Sequence, residues 1–141
     1  MPRRIAAALL ASLALVAAGC GGESAEEKAQ SQVCDARANI QQSINALKGL
    51  TVSTATTDEI RRQVEAIRKD LGTIRSAQGD LNADRREQLQ SANAQFTDTI
   101  RTTAQTVLRS TSAQEASAEL RQAADQLETT YESTLSPIDC N

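Results

Sequence analysis

From Val33 to Leu135 the apolar residues return at steps of three and four, in four separate runs. Val33, Ile40, Ile44 and Leu47 form the first. Ile60, Val64, Ile67, Leu71 and Ile74 form the second, stepping strictly by four and three. Leu89, Ala92, Phe96, Ile100, Thr103 and Val107 form the third, and Leu120, Ala124, Leu127, Tyr131 and Leu135 the fourth. Each run traces one face of a 3.6-residue helix, and each face is narrow, of the bundle or coiled-coil kind. Sustained two-residue alternation of Val, Ile and aromatics, the mark of a strand, is missing. The pattern predicts an all-α fold: an elongated, antiparallel up-down bundle of four helices within residues 31–141.

Breaks fall between the runs. Thr51 to Thr57 is β-branched and polar, a poor helix interior, and Thr57 is placed to cap a helix whose first turn carries Asp58 and Glu59. Gly79-Asp80 closes the second helix, and Asp84 with Glu87 has capping-box spacing for the third. This break is the weakest, since residues 58–109 could also run as one kinked rod. Ser112, with Glu115 three residues on, caps the fourth helix, and Ser136-Pro137 ends it. The core is thin. Leu, Ile, Val and Phe make up about 17% of residues 20–141, near the range where disorder competes, so a second source of stability is expected.

Residues 1–20, MPRRIAAALLASLALVAAGC, follow a different pattern. Arg3 and Arg4 precede an uncharged, mostly apolar stretch from Ile5 to Ala18, and small residues follow. This is the layout of a cleaved signal peptide, too short to span a bilayer core of about 30 Å comfortably. Ala17-Ala18-Gly19-Cys20 resembles the lipobox of bacterial lipoproteins. The resemblance covers residues 1–20 and implies cleavage between Gly19 and Cys20, with lipid attached to the Cys20 thiol. Position 17 departs from the family, in which leucine is commonest. The organisation expected is a signal peptide over 1–19, a lipidated cysteine and short tether over 20–30, and the helical body over 31–141. Two or more acyl chains hold a protein stably at a membrane, at about 0.8 kcal/mol per buried methylene. Loss of Arg3 and Arg4 with the leader takes the net charge from −3 to −5. An acidic body stands off an anionic lipid surface.

Two cysteines remain, Cys34 and Cys140. An even number in an exported chain favours a disulfide, the alternatives being a bridge between chains or free thiols. Parity then bears on topology. Four antiparallel helices return the chain to its starting end and bring these positions together, whereas three leave them at opposite ends. Neither cysteine has a neighbouring cysteine or histidine, so a thioredoxin-type redox pair is disfavoured.

Composition excludes several functions. The chain has no histidine, no Trp, one Phe and one Tyr. Histidine-based acid–base catalysis and metal sites are therefore impossible, and base-stacking platforms are absent. The acidic balance argues against nucleic-acid binding. Without Glu-x-x-His there is no di-iron bundle motif. Asp80, Asn82 and Asp84 open like a calcium loop, but Arg85 and Ser91 stand where Gly and Glu are required. No metal, cofactor or catalytic residue is expected. Arg61, Arg68 and Arg75 recur every seven residues, each immediately after an Ile of the second run, which puts them at e if those Ile residues are d of a heptad. They are read either as a row that pairs with acids of a neighbouring helix or is simply a solvated face, or as a ridge that docks an acidic partner or phosphate-bearing polymer. The cysteine layout and helical repeats are also similar to those of small actinobacterial envelope proteins. The functional expectation is a non-enzymatic, lipid-anchored interaction or structural module at the outer face of the cell membrane, with an envelope protein as partner. The alternative is a carrier holding a lipid or hydrophobic molecule between its helices.

Overall fold

The computed structural model describes residues 21–50, 57–109 and 112–140. Residues 1–20, over which a signal peptide and the Gly19–Cys20 junction are expected, lie outside the described residues, as do 51–56, 110–111 and the side chain of Val107. All regular structure within them is helical: α1 (Ala25–Gly49), α2 (Thr57–Ala77), α3 (Ala83–Leu108) and α4 (Ala113–Thr134), with a single 3-10 turn at Gln78–Asp80. Each helix packs on its two neighbours, α1 on α2 and α4, and α3 on α2 and α4. That closed ring is the antiparallel four-helix bundle. Residues 58–109 form two helices rather than one rod.

The cores of all four runs face inward. Ile40, Ile67, Ile74, Phe96, Leu127 and Leu135 are fully buried. The seam is wider than the large apolar residues alone suggest, because Ala29, Ala36 and Ser43 extend the face of α1, and Ala77, Leu81 and Ile138 close one end. Small side chains let the helix backbones approach, so a core poor in large residues still excludes water.

Several boundaries differ from those expected. Helix α1 starts at Ala25, inside the segment read as tether. Ser24 accepts from the Glu27 amide at 3.2 Å, and the Glu27 carboxylate accepts from the Ser24 amide at 2.8 Å. Hydrogen bonding to the Ser24 amide first, and to its hydroxyl second, holds the Glu27 carboxyl below its ordinary range. The apolar periodicity of α1 begins only at Val33, well inside the helix, and so does not mark this start. Thr57 is the first residue of α2, not its cap. Asn82, not Asp84, caps α3: its Oδ1 accepts from the Arg85 amide at 3.0 Å. The chain leaves the 3-10 turn extended at Leu81, which places Asn82 at the cap and Asp84 in the first turn, where its charge still favours the helix dipole. Ser112 caps α4 as read, accepting from the Glu115 amide at 3.2 Å.

Arginines complete the helix ends. Arg86 donates to the carbonyls of Gln78, Gly79 and Leu81 at 3.2, 3.2 and 2.9 Å. One guanidinium thereby satisfies carbonyls of the 3-10 turn and of Leu81 just after it, where no helix continues to supply donors. Arg37 does the same for the end of the chain, donating from Nη1 to Ser136 at 3.2 Å and Ile138 at 2.5 Å. Threonines, poor helix formers as a class, bond their hydroxyls back to carbonyls four residues earlier, as Thr99, Thr102 and Thr106 do in α3.

Gly72 sits in the interior of α2, and a Cβ built there meets nothing within 4 Å. Glycine in a helix interior costs about 0.5–1 kcal/mol relative to alanine. Gly72→Ala is therefore expected to raise stability by about that amount, read as a shift of the urea midpoint at unchanged slope.

One half-buried carboxylate works the other way. Burial raises the Asp70 carboxyl above its ordinary range, opposed by a hydrogen bond with Asn39 of α1 and by the charge of Lys69. The folded chain thus binds this proton more tightly than the unfolded one. The stability associated with it is present below the unfolded pKa and lost as pH rises through the folded pKa. Asp70→Asn should stabilise the bundle at pH 7, and the gain should shrink toward pH 3. Denaturation of both proteins at the two pH values checks the sign.

Candidate functional site: a basic cleft between the second and third helices

At the end of the bundle where α1 begins and α4 finishes, the Sγ atoms of Cys34 and Cys140 are bonded at 2.07 Å, with 5.7 Å between the Cα atoms. Asn82, in the α2–α3 connection, donates to Glu26 at 2.9 Å and places that connection at the same end. A cavity of about 100 Å³ lies beside the bridge, lined by Val33, Cys34, Leu81, Leu89 and Ile138. Sites for drug-sized ligands run to roughly 300–1,000 Å³, so this one is too small.

The arginine row divides. Arg61 and Arg68 pair within α2, with Asp58 at 3.2 Å and Glu65 at 2.9 Å. Their partners are not acids on a neighbouring helix: residues three apart on one helix are already neighbours, and the two arginines lie on a solvated face. Both pairs are well exposed, and such pairs contribute little. Arg75 makes neither an ion pair nor a hydrogen bond among the described residues.

Arg68 and Arg75 do share a cleft, and a third guanidinium joins them from across it. A cavity of about 340 Å³ between α2 and α3 is lined by Arg68, Arg75, Arg101 and Thr97, with Leu71 and Ile100 contributing the apolar lining. Arg61 does not line it. A second cavity of about 340 Å³ shares Arg75 and Thr97 and continues past Gln78, Gln90, Asn93 and Asp98. Asp98 lies 3.4 Å from Arg101. The two cavities adjoin along Arg75 and Thr97 as one cleft, with the arginines and Asp98 toward one end and uncharged polar residues toward Gln78 and Gln90.

Its wall carries unsatisfied polar atoms. Asn93 is 4% exposed and donates from Nδ2 to the Leu71 carbonyl at 3.3 Å, yet its Oδ1 has no partner. Gln78 is 7% exposed and its Nε2 has no partner, and the Thr97 hydroxyl is buried without one. Each such group costs about 1–3 kcal/mol when left unpaired. Asn93 and Thr97 lie on the face of α3 toward α2, where an apolar pair would have closed the gap. Polar residues of this kind, four apart and each directly after an apolar residue (Ala92 and Phe96), carry no chemical signature in sequence, and Arg101 belongs to no repeat.

Among the described residues no group of three His, Cys, Asp or Glu is arranged to hold a metal ion, and no helix is long and apolar enough to cross a membrane. The features that define this molecule are a disulfide-closed four-helix bundle and one basic, polar-walled cleft. No family model, curated protein or solved structure matches the chain.

Proposed function

We propose that the chain is a lipid-anchored, extracytoplasmic interaction module of the bacterial cell envelope, without enzymatic activity. The observation that carries this reading is the position of the bundle relative to Cys20. The capping box at Ser24 starts α1 four residues after the lipobox cysteine, and four residues span at most about 14 Å. An acyl anchor on Cys20 would hold the bundle by the end that carries the Cys34–Cys140 bridge. Helix α3, of 26 residues, then reaches about 39 Å away from that end. A disulfide joining the two ends of the folded body suits an oxidising compartment outside the cytoplasm. The α2–α3 cleft opens on the side of such a tethered rod, accessible to other envelope components. The carrier alternative needs an apolar interior cavity, and the cavity beside the core that is lined mainly by apolar residues measures only about 100 Å³.

Membrane fractionation of cells producing the wild-type chain or Cys20→Ala, with mass analysis of the N-terminal peptide, tests the anchor. A wild-type peptide beginning at Cys20 and bearing acyl chains is expected, together with release of the variant from the membrane. A wild-type peptide that begins beyond Cys20, or a thiol without lipid, would end this reading.

A further inference from the structure

We infer that the bundle opens along the α2–α3 seam. Helices α2 and α3 part at the ends marked by Thr57 and Leu108, while the α1–α4 seam and the α2–α3 connection serve as the hinge. The inference gives the molecule a second conformation and stands whether or not the chain is an anchored interaction module. The bundle consists of two hairpins, α1–α2 and α3–α4, and the two seams between them are fastened differently. Along α1–α4 the Cys34–Cys140 bridge is followed by Arg37 donating to the Ser136 and Ile138 carbonyls. Next come the Tyr131 hydroxyl, which donates to Gln41 Oε1 at 3.4 Å, and the Lys48–Glu128 ion pair. From Cys34 to Lys48 these fastenings cover about 21 Å of α1.

The α2–α3 seam is built otherwise. Asn93 Nδ2 donates across it to the Leu71 carbonyl at 3.3 Å. Asn93 Oδ1, Gln78 Nε2 and the Thr97 hydroxyl are left there without partners and with essentially no accessible surface. Water reaches these atoms only when the helices separate. Their rehydration on opening offsets part of the cost of exposing Leu71 and Ile100, the apolar lining between the two helices. The arginines of the cleft add no clasp, because Arg68 and Arg101 pair with Glu65 and Asp98 of their own helices. At the Gln78 end, by contrast, α2 and α3 are held. Arg86 donates to the carbonyls of Gln78, Gly79 and Leu81, and Asn82 donates to Glu26 of α1. Separation is therefore greatest away from that end, and the wedge leads past Leu71 and Ile100 toward the core.

Thiol labelling under native conditions tests the opening. Thr97 and Thr103 both lie on α3, and the hydroxyl oxygen of each is buried without a partner. Thr97 borders the cleft with α2, whereas Thr103 borders a cavity between α3 and α4. Thr97→Cys and Thr103→Cys are near-isosteric, so each places a sulfur at a closed position on one seam. The purified full chain, its native bridge intact, is treated with iodoacetamide over a range of low urea concentrations. The peptide carrying the new cysteine is followed by mass, so that Cys20 does not contribute. Thr97→Cys is expected to react at least about ten-fold faster than Thr103→Cys, with a urea dependence about half that of global unfolding or less, because a partial opening exposes less surface. Asn93→Cys and Ala92→Cys repeat the comparison at adjacent positions, each 4% exposed, Asn93 toward α2 and Ala92 toward α4. Asn93→Cys is expected to be the faster. Equal rates within a pair that melts as cooperatively as wild type, or reaction at positions 93 and 97 with the full urea dependence of unfolding, would overturn the proposal. The assay uses no membrane, so its failure leaves the anchor untouched, and loss of the anchor leaves its outcome unchanged.

Discussion

Opening the Cys34–Cys140 bridge is expected to remove about 4–5 kcal/mol of stability, the largest single effect available in this chain. The two residues are 106 apart in sequence, so the bridge closes nearly the whole folded body into one loop. Its effect lies mainly in the unfolded ensemble, which the bond prevents from expanding. The folded state has little with which to compensate. Domains of this size are stable by about 5–15 kcal/mol in total, and this core is thin in large apolar side chains. The reduced protein should therefore melt near ambient temperature. Urea unfolding with and without reductant, and of the Cys34→Ser/Cys140→Ser pair, provides the measurement. A lower midpoint is expected in both cases, with a steeper slope because the released chain exposes more surface. Equal midpoints for oxidised and reduced protein, with thiol release verified, would show that helix packing alone holds the ends together.

Phe96→Ala should be the most damaging core substitution, at about 3–5 kcal/mol. Phe96 is the chain's one phenylalanine and is fully buried midway along α3. Many of the other buried positions are alanine: Ala36, Ala92, Ala104, Ala123 and Ala124. Alanine has no rotamers with which to move into a void. The space vacated by the ring would stay largely empty, and the cavity contribution would add to the lost transfer energy. Phe96→Leu, which keeps most of the volume, should cost about 1–1.5 kcal/mol. Thermal and urea denaturation of the two variants should separate them clearly. Similar, small losses for both would mean that α3 packs around some other residue.

Much of the fold is legible in the sequence for a simple reason. A narrow apolar stripe is a property of one helix, and four stripes with polar breaks specify four helices whatever surrounds them. The second stripe, from Ile60 to Ile74, is buried in full. The cysteine pair added long-range information that periodicity lacks: only an even number of antiparallel helices brings Cys34 to Cys140. Helix ends were harder to read. Asn82 and Ser24 are caps because of backbone conformation at one residue, and neighbouring polar residues such as Asp84 look equally suitable in sequence.

The candidate site was only half visible. Arg68 and Arg75 stand out by their seven-residue spacing, but the same spacing implicated Arg61, which pairs with Asp58 and lines no part of the cleft. Arg101, Asn93, Thr97 and Gln78 show no pattern. They become a site because α2 and α3 lie side by side with complementary gaps.

By itself, then, the sequence determined the all-α class and the large apolar faces of the helices, and it favoured four helices and the Cys34–Cys140 pairing without deciding either. These follow from local periodicity and from chain parity, neither of which requires coordinates. Tertiary structure alone decided which small and polar residues share the buried faces, which carbonyls Arg37 and Arg86 satisfy, and that a basic cleft exists between α2 and α3. Those features depend on how far each helix is rotated about its axis and slid along its neighbour. Rotation and register arise from the packing of all four helices together, and no local run of residues encodes them.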